Sequence, residues 1–510
     1  MSENPKLRRE LNIWEAIGLS LALMAPSMAV NINPQGMVAS VGRAIPLAFI
    51  LATVGVLIVA YTFVRLTARF RHAGSVYGFV GATLGPRAGV IAGWGLVGTY
   101  VFFGVVTALA FGRFSASLIA VVVGGPPQDG VAFGIALVGL IPMLILALWP
   151  ARRGTRVLLV IETITVGLIL LVGAVVVVKL AGHSGPGGLG LDMSVFSVGD
   201  GGDLSSLFLG VVFGFLSFAG FEAASTLGEE TRNPRRDIPR AILGVTVFGG
   251  VYFVFVTAFT VMGFGTDENG LTEFSASNAL VGELGSRYVA SWVGELISAG
   301  AAVSALGCML ACCVGASRLV YALGRDGVTF GVFGTVHGKR GTPTHATMAV
   351  AGSMLVILVA AFAVLRGGTL ASWQAATGFA DAPPTLAIFA IAGTAGTLIL
   401  LVVYVLATLG VIVMAYRDGG VKVHEVVIPV AGLAVLGYTL FRNVVPLPTG
   451  AGLWAPAITA LWLIAGVVWV IVRADATRRA GMLLLQDEGL AGDQATTVHL
   501  EPESAPKAER

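Results

Sequence analysis

Phe215-Leu216-Ser217-Phe218-Ala219-Gly220-Phe221-Glu222 places a glycine and a carboxylate in the middle of an otherwise apolar segment, residues 205–228. About 20 such residues cross a bilayer core as a helix. Backbone groups freed at that depth find no partner in lipid, so a break survives only where it is covered by protein or lines a cavity. Residues 13–39 carry a second break. There Leu21-Ala22-Leu23-Met24-Ala25-Pro26-Ser27-Met28 sets a proline at mid-span, where it lacks an amide and clashes with the preceding turn. Broken helices at matching places in two halves of a chain point to a transporter whose site lies between inverted repeats. The plainer alternative is a proline kink and a glycine packing contact.

Counting outward from these two segments gives twelve candidate spans. They are 13–39, 44–64, 87–120, 131–149, 155–180, 205–228, 240–264, 288–324, 344–365, 385–416, 425–442 and 454–473. The breaks fall in the first and sixth, so the repeats are expected at about 13–180 and 205–416, with two extra helices at about 425–473. Residues 1–12 read as a cytoplasmic N-terminal segment before this 13–473 unit, and 474–510 as a disordered cytoplasmic tail. Asp381-Ala382-Pro383-Pro384 reads as a helix start, with a capping Asp and Pro in the first turn. With the N-terminus inside, twenty-five of the 31 Lys and Arg residues fall in inside segments and five outside; Arg113 lies within the third span. This asymmetry sets both termini in the cytoplasm, and the chain is expected as a multi-pass protein of the cell inner, cytoplasmic membrane.

Composition agrees. Of the 510 residues 56% are hydrophobic and 12% charged, against roughly 45–50% and 25% in soluble domains. An ordinary soluble enzyme and a disordered chain are both excluded for the bulk of the sequence. Gly accounts for 69 residues, which suits closely packed membrane helices. A net charge of +3 gives no argument for a nucleic-acid partner. Cys308, Cys312 and Cys313 lie together in one apolar segment and read as small packing residues, not as a disulfide framework. No phosphate loop, zinc motif or catalytic triad is evident, so neither a metal nor a cofactor is expected and the chain is not read as an enzyme.

The sixth span continues into Gly228-Glu229-Glu230-Thr231-Arg232-Asn233-Pro234-Arg235-Arg236-Asp237-Ile238-Pro239-Arg240. A second run, Ser317-Arg318-Leu319-Val320-Tyr321-Ala322-Leu323-Gly324-Arg325-Asp326-Gly327 with Gly341-Thr342-Pro343, leaves the eighth span. On these motifs and the twelve-span layout the chain resembles the amino acid permeases of the amino acid–polyamine–organocation superfamily. The resemblance implies an all-α membrane fold of the leucine-transporter type, a 5+5 inverted repeat plus two helices. It also implies secondary active uptake or exchange of amino acids or related amines. The substrate would sit between broken helices 1 and 6, its carboxylate on backbone amides of the first break and its ammonium on carbonyls of the second. The residues so implicated are Ala25, Pro26, Ser27 and Met28, and Phe215, Leu216, Ser217, Phe218, Ala219 and Gly220. Three departures stand out: Ala25-Pro26-Ser27-Met28 replaces the Gly-Ser-Gly-type run of many relatives, Leu216 stands where relatives carry an aromatic lid, so that Phe215, Leu216 and Phe218 are all candidates to close the site, and Glu162 stands where many relatives carry a Lys.

Two acids lie inside apolar spans, where a charge is costly and functional by default. They are Glu222 and Glu162, and both are candidates for proton coupling, with sodium left open. The alternatives are a permanently protonated Glu222 and a Glu162 that faces water or pairs with Arg156. Glu229, Glu230, Arg232 and Arg235 are candidates for an ion-paired cytoplasmic gate. Trp14 and Glu15 read as interfacial anchors, and Arg113 as a side chain that snorkels outward or faces a vestibule. The resulting expectation is a proton-coupled symporter of an amino acid or small amine, a monomer or homodimer in the bilayer. A polyamine carrier, an exchanger and, more remotely, a membrane sensor are the alternatives.

Overall fold

A computed structural model describes residues 12–70, 75–149, 152–198, 204–227, 231–337, 342–364, 383–417, 422–448 and 450–487. Among them the regular structure is helical, with no β-strand ladder. The helices are α1 (Ile13–Met24), α2 (Pro26–Ile32), α3 (Ile45–Arg69), α4 (Val76–Leu84), α5 (Pro86–Val123) and α6 (Asp129–Leu148). There follow α7 (Arg152–Ala181), α8 (Leu204–Phe218), α9 (Pro234–Phe264), α10 (Glu268–Ala276), α11 (Leu280–Tyr288) and α12 (Ser291–Arg325). The last are α13 (Thr344–Val364), α14 (Pro384–Arg417), α15 (Val423–Val444), α16 (Trp454–Val472) and α17 (Ala474–Asp487). Eleven stretches among the described residues are long and apolar enough to cross a membrane, and the first, Ile13–Arg69, is 57 residues long and holds α1, α2 and α3. The helix start read at Asp381 lies outside the described residues; α14 begins at Pro384.

Local chemistry sets the ends. At α1 the Asn12 side chain accepts from Trp14 N at 2.8 Å, and Glu15 Oε2 accepts from Asn12 N at 2.9 Å. Glu15, read as an interfacial anchor, therefore closes a capping box that satisfies two helix-end donors. Pro86 opens α5, whose 38 residues span about 57 Å at 1.5 Å per residue. That exceeds a hydrocarbon core of about 30 Å, so the helix must tilt or protrude. α5 packs on both α12 and α14, while α9 packs on α3 and α1. Small residues make these contacts close. A Cβ on Gly89 would lie 2.6 Å from Gly81 Cα, and one on Gly98 2.2 Å from Trp462 Nε1. Trp462 and Trp94 stack at 4.7 Å, and each indole N–H donates to the other's backbone oxygen, at 3.1 and 2.8 Å.

The polar tail differs from the sequence expectation. Its first residues, Ala474–Asp487, form α17. Thr477 and Ala480 are buried, and a Cβ on Gly481 would fall 2.0 Å from Pro86 Cγ. Polar composition over 474–510 masks this short small-residue face, and the helix packs on α5 and α4. The remainder, 488–510, lies outside the described residues.

Between α7 and α8, Asp192 accepts from the Thr266 hydroxyl and from Ser194 N at 2.9 Å. The Thr266 and Ser194 hydrogen bonds hold its carboxyl below the ordinary range. Such a group stabilises the fold above the unfolded value of about 3.9, and the benefit is lost as pH falls through the lower folded value. Thr266→Val removes the leading partner. The variant is expected to lose less of its melting temperature than the parent on acidification from about pH 5 to about pH 3. Because Asp192 is only half-buried, the difference should be small, a degree or two at most.

Candidate functional site

Both breaks foreseen in the sequence are present. α1 ends at Met24, and Ala25 takes a left-handed backbone, φ 44° and ψ 59°; Pro26 then opens α2 as its first residue. Pro26 lacks only an amide that a helix start leaves unbonded in any case, which is why proline is accepted there. The strain sits one residue earlier, on an alanine in a region that favours glycine. α8 ends at Phe218, Gly220 has φ +107°, and Phe221–Leu227 continues as a 3-10 helix.

The breaks meet. A Cβ on Gly220 would lie 2.7 Å from Leu23 Cβ and 2.9 Å from Leu23 C, so Gly220 is required both by its φ and by the approach of α1. Ser20 links the same elements: its hydroxyl donates to Phe221 O at 3.0 Å and accepts from Ala224 N at 3.1 Å. The Cys308 thiol, from α12, donates to Leu23 O at 2.9 Å, a use beyond packing.

Glu222 is 1% exposed beside the second break. Its Oε2 accepts from Tyr404 OH at 3.0 Å and from Gly220 N at 3.2 Å. Its Oε1 is buried with no hydrogen-bond partner. Phe63, Phe221 and Tyr404 pack edge-on against one another, with centroids 5.6 to 5.8 Å apart. A carboxylate with one oxygen unpaired is costly to bury, and such orphans ask for an explanation.

Glu162 reaches the first break. Leu159, one turn earlier on α7, packs on Gly18 of α1, and Thr165 packs on Gly300 of α12. Wedged between these helices, Glu162 Oε1 accepts from Ser27 N at 2.8 Å. Met28 N donates to Ser304 Oγ at 3.3 Å, and that hydroxyl also lies against the Glu162 carboxylate. The two amides read as donors for a substrate carboxylate are thus engaged by the protein's own groups. The Ser27 hydroxyl lies against the same carboxylate, while the Tyr252 hydroxyl, near Glu162 on α9, is buried without a hydrogen-bond partner.

Of the three side chains considered as a lid, Phe218 packs edge-on against Phe253 at 5.1 Å, and Phe215 packs toward Gly55 of α3. Leu216 instead faces α14, where a Cβ on Gly393 would lie 3.0 Å from its Cδ2. Ser217 Oγ accepts from Asn33 Nδ2 at 2.8 Å, and Asn33 Oδ1 has no partner. Arg232 and Arg235 are exposed at the start of α9, whereas Glu229 and Glu230 lie outside the described residues. Arg113 does not snorkel: it is 6% exposed, 3.4 Å from both Thr385 Oγ1 and Asn278 Oδ1, near Asp129. Among the described residues no group of three or more His, Cys, Asp or Glu is placed to hold a metal ion.

Asn31, Ser304, Tyr252 and Tyr404 were missed as site residues by sequence reasoning. Asn31 donates to Ser27 O at 2.8 Å and accepts from Val281 N and Gly282 N at 2.9 and 3.2 Å, tying α2 to the start of α11. An amide side chain at mid-span was the available signal. Asn31→Ala leaves buried donors unpaired and is expected to destabilise by about 2 kcal/mol, read as a melting temperature lowered by several degrees in detergent.

Residues 11–472 match the family model described as amino acid permease. The chain is 30% identical over 366 residues to the low-affinity putrescine importer PlaP of Escherichia coli, covering 71% of this chain and 75% of that one. It is 25% identical over 363 residues to the branched-chain amino acid permease BcaP of Bacillus subtilis, covering 68% and 73%. It is 27% identical over 323 residues to cationic amino acid transporter 4 of Homo sapiens, covering 60% and 48%.

Proposed function

The chain belongs to the amino acid permease family, and from that premise we propose that it is a proton-coupled secondary transporter importing an amino acid or related small amine. One observation carries the reading: two helix breaks lie against each other, each with its own buried carboxylate. In this reading α1 and α2 form one crossing and α8 with its 3-10 continuation another, giving twelve crossings in a 5+5 inverted repeat plus two helices. Both termini lie on the cytoplasmic side of the inner membrane, as the Lys and Arg asymmetry favours. The heavier packing of α9 on α3, and of α5 on α12 and α14, supports a bundle that rocks against a scaffold.

The two acids take different parts. Glu162 holds the Ser27 amide at the start of α2, and a helix N-terminus favours an anion. Protonation weakens it as an acceptor, so a proton arriving there loosens α2 and biases the bundle toward its other position. Glu222, with one oxygen unpaired, takes the ammonium of the substrate, and Leu216 closes the side toward α14. Substrate and proton act on the same pair of breaks and so are coupled. Import of a polyamine is the second reading, which the similarity to a putrescine importer favours.

Reconstitution tests the proposal. Proteoliposomes with an alkaline lumen are expected to accumulate a labelled amine or amino acid above its external concentration, and a protonophore should abolish the excess. Equilibration without accumulation, unchanged by the protonophore, contradicts proton coupling.

A further inference from the structure

The tail helix α17 packs on the bend where α4 turns into α5. Gly85 makes that bend with φ +100°, a positive value that favours glycine, and Pro86 opens α5 beside it. Ala476, Thr477, Ala480 and Gly481 form the buried face of α17, and a Cβ on Gly481 would lie 2.0 Å from Pro86 Cγ. Four small residues remove little apolar area from water, so the docking is weak. Thr477 weakens it further: its hydroxyl is buried and, among the described residues, has no hydrogen-bond partner. Arg478, Arg479 and Met482, on the opposite side of the helix, are exposed. A contact this marginal opens and closes readily.

The other end of α4 reaches the second break. The hydroxyl of Ser75, the residue before α4, shares a hydrogen bond of 2.8 Å with the Ser225 hydroxyl, on the 3-10 stretch Phe221–Leu227 that also carries Glu222. Tyr77 OH donates to Asp326 Oδ2 at 2.9 Å, just past the end of α12. Ser75 makes its contact from φ 48° and ψ −129°, a strained backbone for a serine, so the latch holds strain that its release relieves. Along the seam between α4 and α5 backbone meets backbone: a Cβ on Gly89 would lie 2.6 Å from Gly81 Cα and 2.9 Å from Tyr77 O. A seam of this kind lets one helix slide on the other. α17 touches both helices and so opposes that sliding.

We infer that α17 is an autoinhibitory brace on the inner side of the site. Docked at the α4–α5 bend, it holds Ser75 on Ser225 and keeps the 3-10 stretch of the second break in place; undocked, it frees that stretch to move. The tail thereby limits how fast the transporter opens inward. The bracing stands on these contacts alone, and its effect on rate rests on the transport reading.

Hydrogen–deuterium exchange of the purified full-length chain in detergent reads local opening segment by segment. Gly481→Leu pushes α17 off Pro86, and exchange is expected to rise about fivefold both in Val76–Leu84 and in Phe221–Leu227, with Leu280–Tyr288 unchanged. Thr477→Val removes only the unpaired hydroxyl, tightens the docking and should slow exchange in the same two segments about threefold. In a Ser225→Ala background the effect of Gly481→Leu should persist in Val76–Leu84 and vanish from Phe221–Leu227. A change that stops at α4 when Ser225 is intact, or that spreads equally to Leu280–Tyr288, overturns the brace. If Gly481→Leu fails to fold, Thr477→Val decides by itself, and unaltered exchange in both segments overturns it. In proteoliposomes the maximal uptake rate of labelled putrescine or leucine is expected to rise about threefold in Gly481→Leu and to fall in Thr477→Val. Rates that do not follow exchange overturn the limit on inward opening. No uptake of either compound by the parent chain goes against the transport reading, while the exchange result still judges the brace.

Discussion

Gly220→Ala is expected to abolish transport and to destabilise the chain by about 3 kcal/mol, the upper range for one residue forced into a disfavoured backbone region with a clash. Gly220 has φ +107°, and its added Cβ would meet Leu23 Cβ at 2.7 Å and the Leu23 backbone carbon at 2.9 Å. Neither is the end of a flexible side chain, so α1 itself must move. That movement would pull Gly220 N from Glu222 Oε2 and disturb Ser20, which bonds to both Phe221 O and Ala224 N. The matched control is Ala25→Gly. Ala25 has φ 44°, and glycine there relieves about 1 kcal/mol of left-handed strain. The pair is read by thermal melting in detergent and by initial uptake rate. A Gly220→Ala chain that melts and transports like the parent would mean that the two breaks are not held together as described.

Glu162→Gln carries the second large effect. Uphill accumulation is expected to fall to the equilibrium level, while exchange of labelled for unlabelled substrate continues. The glutamine oxygen still accepts from Ser27 N, so α2 keeps its anchor, but the side chain no longer takes up a proton. A loss of about 1.4 kcal/mol of driving force lowers an accumulation ratio tenfold, so a proton gradient of two pH units is worth roughly a hundredfold and the contrast is large. The check is the ratio of internal to external label at steady state beside the rate of counterflow. Loss of both activities would make Glu162 structural; retention of both would remove it from coupling.

Much of this arrangement is legible in the residues alone. Pro26 and Gly220 announce the breaks because lipid offers their backbones nothing. Glu162 and Glu222 stand out because a carboxylate at that depth is costly. Their partners are not legible. Glu162 and Ser27 are 135 residues apart, and their meeting depends on how Gly18 and Gly300 let α7 settle between α1 and α12. Ser304 does not announce itself either. Hydroxyls in these spans commonly bond back to their own helix, as Thr67 does to Phe63 O and Thr257 to Phe253 O, and composition does not distinguish the one that reaches across. The resemblance implies a lid among Phe215, Leu216 and Phe218, yet Phe215 and Phe218 are spent on packing against neighbouring helices, leaving Leu216 toward α14. The helical start of the tail was hidden because its buried face is made of Thr477, Ala480 and Gly481, residues too small to mark a hydrophobic stripe.

Coupling through two facing breaks is tested most directly by proton flux. Proteoliposomes holding a pH-sensitive dye receive external substrate with no imposed gradient, and luminal pH is followed as labelled substrate enters. The account predicts acidification in step with uptake for the parent chain, and uptake without acidification for Glu162→Gln. Uptake by the parent chain with no change in luminal pH, or the same acidification in the variant, would contradict it.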